Sequence, residues 1–357
     1  ASWNCIRGCS RVSEGCRHCY AETMAARFSD EGQPYYQLAK RTKSGPRWTG
    51  EVRFIPEHLC DPVRWQKARR IFVNSMSDIF HEGLTNEEIA AIFAVMCVAK
   101  RHKFQVLTKR SKRMVEWFRW AGRLTMGELF GCAKRALKDH PEELKAFNRA
   151  DAELGGYTWP LPNVWIGVSV ENQEAADERI PDLLRTPAEI RFLSCEPLIG
   201  RVSLAKWLRG GGEPVEDNPA TRAKALQLGG GHVQQGASSD AGNVVESQSV
   251  TRGSLASLAR PLLSWVIAGC ESGPGMRDCD HQWLRVLREE CRASGVKYFL
   301  KQARGAQEGG HRLYPSGQAA RSPVVDVVAA GKGSKVKPGG VIERPYLDGF
   351  QHQEFPA

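Results

Sequence analysis

Six apolar runs of strand length recur along the chain, and stretches with helical spacing separate most of them. The runs are Arg69–Phe80, Lys103–Arg110, Asn163–Asn172, Glu189–Leu198, Leu263–Gly273 and Val296–Gln302. Strands that alternate with helices predict a parallel sheet with right-handed crossovers. Continuous apolar runs are typical of strands that are buried on both faces. The sequence therefore predicts an α/β fold of about six parallel strands, in a barrel or an open sheet.

Two segments interrupt this alternation. Residues 121–160 are charged with helical spacing and predict an inserted helical pair, whereas residues 209–258 are rich in Gly, Ser, Gln and Asn and predict a flexible, low-complexity insertion. The remaining parts follow from these boundaries. We expect residues 1–120 to form the first half of a barrel, 161–208 its continuation, 259–304 its last units and 305–357 a C-terminal extension.

Polar or reactive residues follow most of the predicted strands. These clusters are Asn74–Asp78, Thr108–Arg110, Ser169–Asn172, Ser194–Glu196 and Cys270–Ser272. The carboxyl ends of parallel strands meet at one edge of the sheet, where α/β enzymes carry their active sites. Glu171, Glu196 and Glu271 each lie just past a strand and favour a functional site at this edge. The alternative is that exposed strand ends gather polar residues without any function.

The chain is basic, with a formal net charge of +10, which favours a polyanionic partner such as nucleic acid. Arg110, Lys112 and Arg113 belong to its densest basic run and are candidate nucleic-acid contacts. Trp48, Trp65, Trp117 and Trp120 either stack on bases or belong to the core. No apolar stretch is long enough to span a membrane and no signal-peptide pattern is present, so we expect a cytoplasmic protein without a membrane partner.

Three cysteines stand close together in the segment "RGCSRVSEGCRHCYAE", with the spacing C-x6-C-x2-C. The total of eleven cysteines is odd and no export signal is present, so a metal or iron–sulfur site is favoured over disulfides. A structural zinc site would need a fourth ligand, for which Cys5 or His18 is available. Cys9, Cys16 and Cys19 alone would suit a [4Fe–4S] cluster with one iron left open. Unrelated buried thiols are the third possibility.

A three-cysteine loop after a first strand, followed by parallel βα units, resembles the radical S-adenosylmethionine (radical SAM) superfamily and implies a partial (β/α) barrel of that type. The usual spacing there is C-x3-C-x-aromatic-C, and the superfamily's glycine-rich amine-binding motif is absent after Phe72-Val73. The stretches "GCSRVSEGCRHCYAE", "FLSCEPLIG", "ESGPGMR" and "FLKQ" resemble more closely a family of phage-associated proteins of unknown function with a three-cysteine motif. This chain has Cys5 where that family usually has Pro, and Cys270 where it usually has Gly.

The resemblance implies a cofactor set and its ligands. Cys9, Cys16 and Cys19 would hold the [4Fe–4S] cluster, whose open iron takes the amino and carboxylate groups of S-adenosylmethionine. An external electron donor would reduce the cluster, which splits the cofactor to a 5′-deoxyadenosyl radical that abstracts a substrate hydrogen. Cofactor contacts are expected from the strand ends, with Ser75, Ser77 and Asp78 near the amine, Ser169 and Glu171 as ribose or amine partners, and Lys109 beside the carboxylate.

Cys195 and Cys270 are candidate hydrogen-atom donors at the predicted site. Spore photoproduct lyase, a DNA-repair radical SAM enzyme, uses a thiol in this way, and the stretch "LTKR" is distantly similar to that branch. The alternative is that both thiols are small buried hydrophobic groups. Glu196 and Glu271, just past the same strands, complete the set of candidate catalytic residues.

Two functions of different classes therefore stand. The first is a radical SAM enzyme that modifies or repairs a nucleic-acid base. The second is a zinc-stabilised nucleic-acid-binding protein without redox chemistry.

Overall fold

The computed structural model describes residues 1–154, 156, 158–208, 262–272 and 275–304, the strand residues 336–337, 341–342, 346–347 and 350–351, and residues 354–356. The predicted flexible insertion, residues 209–258, lies outside the described residues. Most of the predicted C-terminal extension also lies outside them.

Seven parallel strands form the main sheet. In chain order the strands of the protein are β1 (Ser2–Trp3), β2 (Ile6–Arg7), β3 (Ala39–Thr42), β4 (Gly45–Trp48), β5 (Arg53–Phe54), β6 (Arg70–Val73), β7 (Lys103–Thr108), β8 (Val164–Ser169), β9 (Ile190–Cys195), β10 (Trp265–Gly269), β11 (Lys297–Arg304), β12 (Val336–Lys337), β13 (Val341–Ile342), β14 (Tyr346–Leu347) and β15 (Phe350–Gln351). The order in the sheet is β1-β6-β7-β8-β9-β10-β11, so each strand lies beside the next parallel strand along the chain. Sequential order without a reversal is the order of a barrel wall. The prediction of a parallel α/β fold and a partial barrel is confirmed as a seven-stranded half-barrel.

The remaining strands make short antiparallel pairs. β2 pairs with β5 and β3 with β4 in two ribbons between β1 and β6 of the chain. At the far edge of the sheet, β13 pairs with β11 and with β12. β14 and β15 form a separate two-stranded sheet. The insertion between β1 and β6 therefore carries the segment that contains the cysteines.

Helices connect the parallel strands. They are α1 (Tyr20–Arg27), α2 (Asp61–Arg64), α3 (Asn86–Val98), α4 (Ser111–Ala121), α5 (Met126–Ala136), α6 (Pro141–Ala152), α7 (Gln173–Arg185), α8 (Ala205–Leu208) and α9 (His281–Ala293). Capping boxes begin α3 at Thr85 and α5 at Thr125, where each threonine accepts a backbone hydrogen bond and the glutamate three residues later returns one. The predicted helical insertion contains α5 and α6. No helix in the described part of the chain combines the length and apolar character needed to cross a bilayer.

The two faces of the sheet bury different side chains. The main core lies between the sheet and the helices and includes nearly all of α3 together with alternate residues of β6 to β11. The opposite face carries an aromatic cluster built around Trp165, Phe192 and Trp265. Phe355, far along the chain, joins this cluster with its ring 5.4 Å from that of Trp265. It also lies 5.2 Å from the ring of Phe299.

Candidate functional site

The cysteine loop, residues 8–19, runs from the end of β2 to the start of α1. Gly8 begins it with a φ of +91°, and a Cβ there would lie 2.2 Å from the Glu51 carbonyl oxygen. Only glycine accepts both the left-handed backbone and this close approach. Cys19 ends the loop as the N-cap residue of α1. The turn and the helix start therefore fix both ends of the segment that bears the three thiols.

The thiols of Cys9, Cys16 and Cys19 are partly exposed and electrostatically coupled. Burial raises the pKa of Cys9 to about 12, and Asp78, Cys19 and Cys16 act in the same direction. Burial also raises the pKa of Cys19, with a further contribution from Cys16. The negative charges of Cys16 and Cys19 thus contribute to the pKa of Cys9, and that of Cys16 to the pKa of Cys19, so the three thiols share one short loop.

Cys5 is separated from this group. It is completely buried in the main core, where its Sγ donates to Asn74 Oδ1 at 3.9 Å and where Cys60 lies close enough to act on its pKa. His18, the other candidate fourth ligand, is exposed beside Gly275. Within the described residues, no group of three or more His, Cys, Asp or Glu side chains is arranged to hold a metal ion.

Arg110 fastens the cysteine loop to the sheet. Its Nη2 donates to the Ser10 carbonyl oxygen at 3.2 Å and to Ser10 Oγ at 2.7 Å. Its Nη1 donates to Asp78 at 3.2 Å and its Nε to Glu82 at 2.8 Å. The residue is only 5% exposed. Arg110, predicted as a nucleic-acid contact, therefore has its guanidinium occupied by the protein's own groups.

The other two predicted nucleic-acid contacts lie further out. Lys112 is well exposed and forms an ion pair with Glu178 at 3.1 Å. Arg113 donates to Asn86 Oδ1 at 2.7 Å. Of the three basic residues, Lys112 is the one that is open to a phosphate, because exposed ion pairs are weak and exchange readily.

Asp78 joins the loop after β6 to the end of β7. Its carboxylate accepts hydrogen bonds from Thr108 Oγ1 at 2.8 and 2.9 Å, from the Lys109 amide at 3.1 Å and from the Phe80 amide at 3.0 Å, in addition to the contact from Arg110. These donors fill the acceptor sites of a buried carboxylate. Asp78, predicted to bind the cofactor amine, thus holds two strand ends together.

Glu171 is a buried acid that contacts the cysteine loop. It accepts from Ser13 Oγ at 2.8 Å and from Arg179 at 2.8 Å, and Lys109 Nζ lies 3.5 Å away. Burial alone would raise its pKa, but Lys109 and Arg179 outweigh burial and the pKa lies below its ordinary value. Lys109 also donates to Ser169 Oγ at 3.0 Å. Three predicted cofactor residues, Lys109, Ser169 and Glu171, are therefore brought together in one ionic cluster.

Glu271 and Arg277 tie the end of β10 to the cysteine loop. The Arg277 side chain donates to both Glu271 oxygens, at 3.1 and 2.7 Å, and its Nη2 donates to the Glu14 carbonyl oxygen at 2.9 Å. Glu196, at the next strand end, accepts from Gln302 at 2.8 Å and pairs with Lys301 at 2.9 Å. Both predicted catalytic glutamates thus lie at the rim, each with a basic or amide partner.

Cys195 and Cys270 lie in the main core rather than on the rim. They are 0% and 2% exposed. Burial and the nearby Cys291 of α9 raise the pKa of Cys195. Side chains alternate along a strand, so the phase that directs Ser194 and Glu196 away from the helices directs Cys195 towards them. This placement agrees with the alternative reading of both as small buried hydrophobic groups.

The turn after β6 contains two polar groups without partners. Asn74 Nδ2 and Ser77 Oγ are buried and form no hydrogen bond with any residue that the structure describes. Asn74 has a φ of +56° and is 3% exposed. In the same turn, Ser75 Oγ donates to Asn4 Oδ1 at 3.2 Å. Buried polar atoms are nearly always satisfied, so two orphans in one turn are a feature of a ligand site.

Several of these residues escaped the sequence analysis. Ser13, Asn74, Arg179, Arg277 and Gln302 complete the rim but were not predicted as site residues. Asn74 belongs to the polar cluster Asn74–Asp78, and Ser13, Arg277 and Gln302 stand inside the stretches "GCSRVSEGCRHCYAE", "ESGPGMR" and "FLKQ". Arg179 carries no signal of its own. Their roles depend on which strands are neighbours.

The fold and the rim together define a half-barrel α/β protein with a cysteine loop over the carboxyl edge of its parallel sheet. Residues 1–356 match the DUF5131 family, which is described as proteins of unknown function. The chain belongs to the DUF5131 family. Comparison with curated proteins and with solved structures finds no match.

Proposed function

We propose that this protein is a radical SAM enzyme that uses a [4Fe–4S] cluster and S-adenosylmethionine to modify or repair a nucleic-acid base. The observation that carries the proposal is the position of the three coupled thiols over the carboxyl edge of a half-barrel. In α/β proteins this edge is where ligands and catalytic residues gather.

The donor set fits an iron–sulfur cluster better than a closed zinc site. Cys9, Cys16 and Cys19 supply three thiolates, while Cys5 is buried in the main core beside Cys60. A structural zinc site is closed by four ligands, and a cluster held by three cysteines keeps one iron for another ligand.

S-adenosylmethionine is proposed to bind at the turn after β6 and at the ionic cluster of Lys109, Ser169 and Glu171. Asn74 and Ser77 offer unsatisfied polar atoms. Asp78 and Glu171 already accept from the protein's own donors and would act by positioning their neighbours. When bound, the cluster and cofactor supply one-electron cleavage of a carbon–sulfur bond, with an external donor as the electron source; the protein binds, orients and excludes water.

Nucleic acid is the proposed substrate class because of the net charge of +10 and the exposed Lys112 at the start of α4. The ionic contacts of Glu271 and Glu196 keep the rim polar. These groups would hold a polar base edge at the mouth of the half-barrel.

Anaerobic reconstitution with iron and sulfide tests the proposal. We expect about four iron and four sulfide per chain, and release of 5′-deoxyadenosine when dithionite and S-adenosylmethionine are added. Cys16→Ala should abolish both. Cys5→Ala is the matched control, since it removes a thiol from the same segment but should retain the iron.

A colourless protein that holds one zinc tightly and no iron would contradict the proposal and favour the zinc-stabilised binding protein. Iron retained by Cys16→Ala but lost from Cys5→Ala would show that the ligands are assigned incorrectly. Circular dichroism on each variant separates loss of iron from loss of fold.

A further inference from the structure

A cavity of about 360 Å³ lies at the free edge of β1, apart from the three thiols. It is lined by Ser2, Trp3, Asn4, Arg7, Pro34, Tyr35, His58 and Asp61. Pockets of this size hold small organic molecules, and a few fixed polar groups among aromatic walls give them specificity. None of these residues is a proposed ligand of the iron–sulfur cluster or of S-adenosylmethionine.

Arg7 is the principal charged group of this pocket. Its Nη2 lies 3.5 Å from His58 Nε2, and His58 Nδ1 lies 3.3 Å from Asp61 Oδ2. The Asp61 carboxylate therefore holds the proton of His58 on Nδ1, which leaves Nε2 to accept from Arg7. One of the five N–H groups of Arg7 is used in this way, and within the described part of the chain the others are available to a ligand.

A second arginine stands next to Arg7. Arg53 is directly opposite it in the antiparallel pair of β2 and β5, so both side chains leave the ribbon on the same face. Like charges in this position repel each other. Within the described residues, neither arginine forms an ion pair with a carboxylate. Arg53 is not among the residues that line the cavity, so it adds positive charge to the same face of the ribbon while Arg7 is the arginine in the cavity itself.

Tyr35 supplies an aromatic wall close to this charge. Burial raises the pKa of the Tyr35 hydroxyl and the charge of Arg7 opposes that effect, which places the two groups near each other. The ring of Tyr35 is held by Trp48 at 6.3 Å between centroids. Aromatic faces beside basic groups are the usual binding surface for bases of single-stranded nucleic acid.

Asn4 connects the pocket with the rim. Its Oδ1 accepts from Ser75 Oγ at 3.2 Å and from the Met76 amide at 3.1 Å, both in the turn after β6. A molecule in the pocket therefore lies one side chain away from the turn that carries the orphaned Asn74 and Ser77.

We infer that this pocket binds one nucleotide, with its phosphate on Arg7 and its base or sugar against Tyr35. The inference rests on the proposed function in that it identifies this nucleotide as part of the nucleic-acid substrate. Binding itself requires neither iron nor S-adenosylmethionine.

Titration of the full chain, without iron, by calorimetry tests the inference. The probes are thymidine 5′-monophosphate, thymidine and inorganic phosphate. We expect the nucleotide to bind about tenfold more tightly than thymidine or phosphate, because only it reaches both Arg7 and the aromatic wall. Arg7→Gln should weaken nucleotide binding by about tenfold. Arg119→Gln on α4, which removes the same charge elsewhere, should leave it unchanged.

Asp61→Asn should change the nucleotide affinity in the direction opposite to Arg7→Gln. The amide keeps an acceptor for His58 but removes a negative charge from the pocket, so nucleotide binding should tighten by about twofold to fivefold. This result remains informative even if Arg7→Gln fails to fold.

Equal binding of thymidine and its monophosphate would overturn the inference, and so would a nucleotide affinity that neither Arg7→Gln nor Asp61→Asn changes. Phosphate binding as tightly as the nucleotide would also overturn it, because the aromatic wall would then contribute nothing. A failed titration leaves the iron and 5′-deoxyadenosine assay unaffected, and a failed assay leaves the titration unaffected, so the two proposals fail separately.

Discussion

Gly15 of the cysteine loop lies against the side chain of Glu171, just past the end of β8. A Cβ at this position would lie 2.4 Å from both Cγ and Oε1 of Glu171. Glu171 cannot move aside, because Ser13, Lys109 and Arg179 hold its carboxylate. The loop therefore contacts this acid through the hydroxyl of Ser13, whereas at position 15 it lies so close to the acid that there is no room for a side chain.

Gly15→Ala should displace the loop while leaving the half-barrel folded. We expect at least half of the iron bound after reconstitution to be lost. Gly127→Ala in α5 is the matched control, because its new Cβ would meet nothing closer than 3.9 Å. That change should raise the free energy of unfolding by about 0.5–1 kcal/mol, as expected for Gly to Ala in a helix, and leave the iron content unchanged.

Iron analysis and urea unfolding measure both effects. Full iron content in Gly15→Ala would mean that contact with Glu171 does not determine the position of the loop.

For single residues, the sequence predicts which chemical groups form the site better than it predicts where their side chains point. The three cysteines and Glu171 stand out through spacing and position, but the Ser13–Glu171 contact joins residues 158 positions apart and exists only because the sheet brings them together. Cys195 illustrates the other limit. It follows a strand as Glu196 does, yet strand alternation directs it to the opposite face. The polar residues Ser194 and Glu196 indicate the face of β9 that points away from the helices. Cys195, which lies between them, must therefore point towards the helices.

Six of the seven parallel strands are predictable because each is a continuous apolar run between helical patterns. The seventh, β1, has only two residues and therefore no periodicity to read. It is held by backbone hydrogen bonds, such as that from the Asn74 amide to the Trp3 carbonyl oxygen at 2.7 Å. A strand this short is specified by its partner and by the burial of Trp3, not by its own pattern.

The segment after β10 acts as a clasp on the cysteine loop, since Arg277 joins Glu271 to the backbone of Glu14. We expect Arg277→Ala to release iron to a chelator about three to ten times faster than the unaltered protein, because a charge-assisted contact across the loop is lost. Arg292→Ala on α9, where the side chain is 81% exposed, should release iron at the unaltered rate.

The release is followed by the decay of iron–sulfur absorbance after chelator is added. Identical decay for Arg277→Ala and the unaltered protein would show that this clasp does not restrain the cysteine loop.

For the whole molecule, the formal charge of +10 predicts that nucleic-acid binding weakens as salt increases. Lys112→Ala should reduce the slope of log K against log salt by about 0.7 for single-stranded DNA, which corresponds to one lost phosphate contact. Lys138→Ala, equally exposed but on the segment between α5 and α6, is the control and should keep the slope.

Fluorescence anisotropy with labelled single-stranded DNA measures the slope, and duplex DNA and transfer RNA as competitors rank the substrate classes. A salt-independent affinity would contradict binding through phosphates.

The alternation of apolar runs with helical patterns predicts a parallel sheet without any contact information. It does not decide between a barrel and an open sheet, and the sequential strand order that makes a half-barrel is seen only in the structure. The pocket at β1 could not, because it is assembled from β1, β2, the Pro34–Tyr35 turn and the start of α2, none of which has a marked pattern. The hydrophobic pattern of a helix or strand indicates which of its own residues are buried. A pocket depends instead on the space left between several elements, which no single pattern indicates.

The aromatic cluster around Trp165, Phe192 and Trp265 is completed by a residue, Phe355, that is synthesised long after the others. Its ring packs on Trp265 and Phe299 and lies under the guanidinium of Arg70, 4.2 Å from the ring centroid. All three partners leave the ribosome well before Phe355 does. During translation the strands of the half-barrel are therefore made while the aromatic cluster is still exposed to water on the side that Phe355 covers. The contacts of Phe355 form only after this residue has been synthesised.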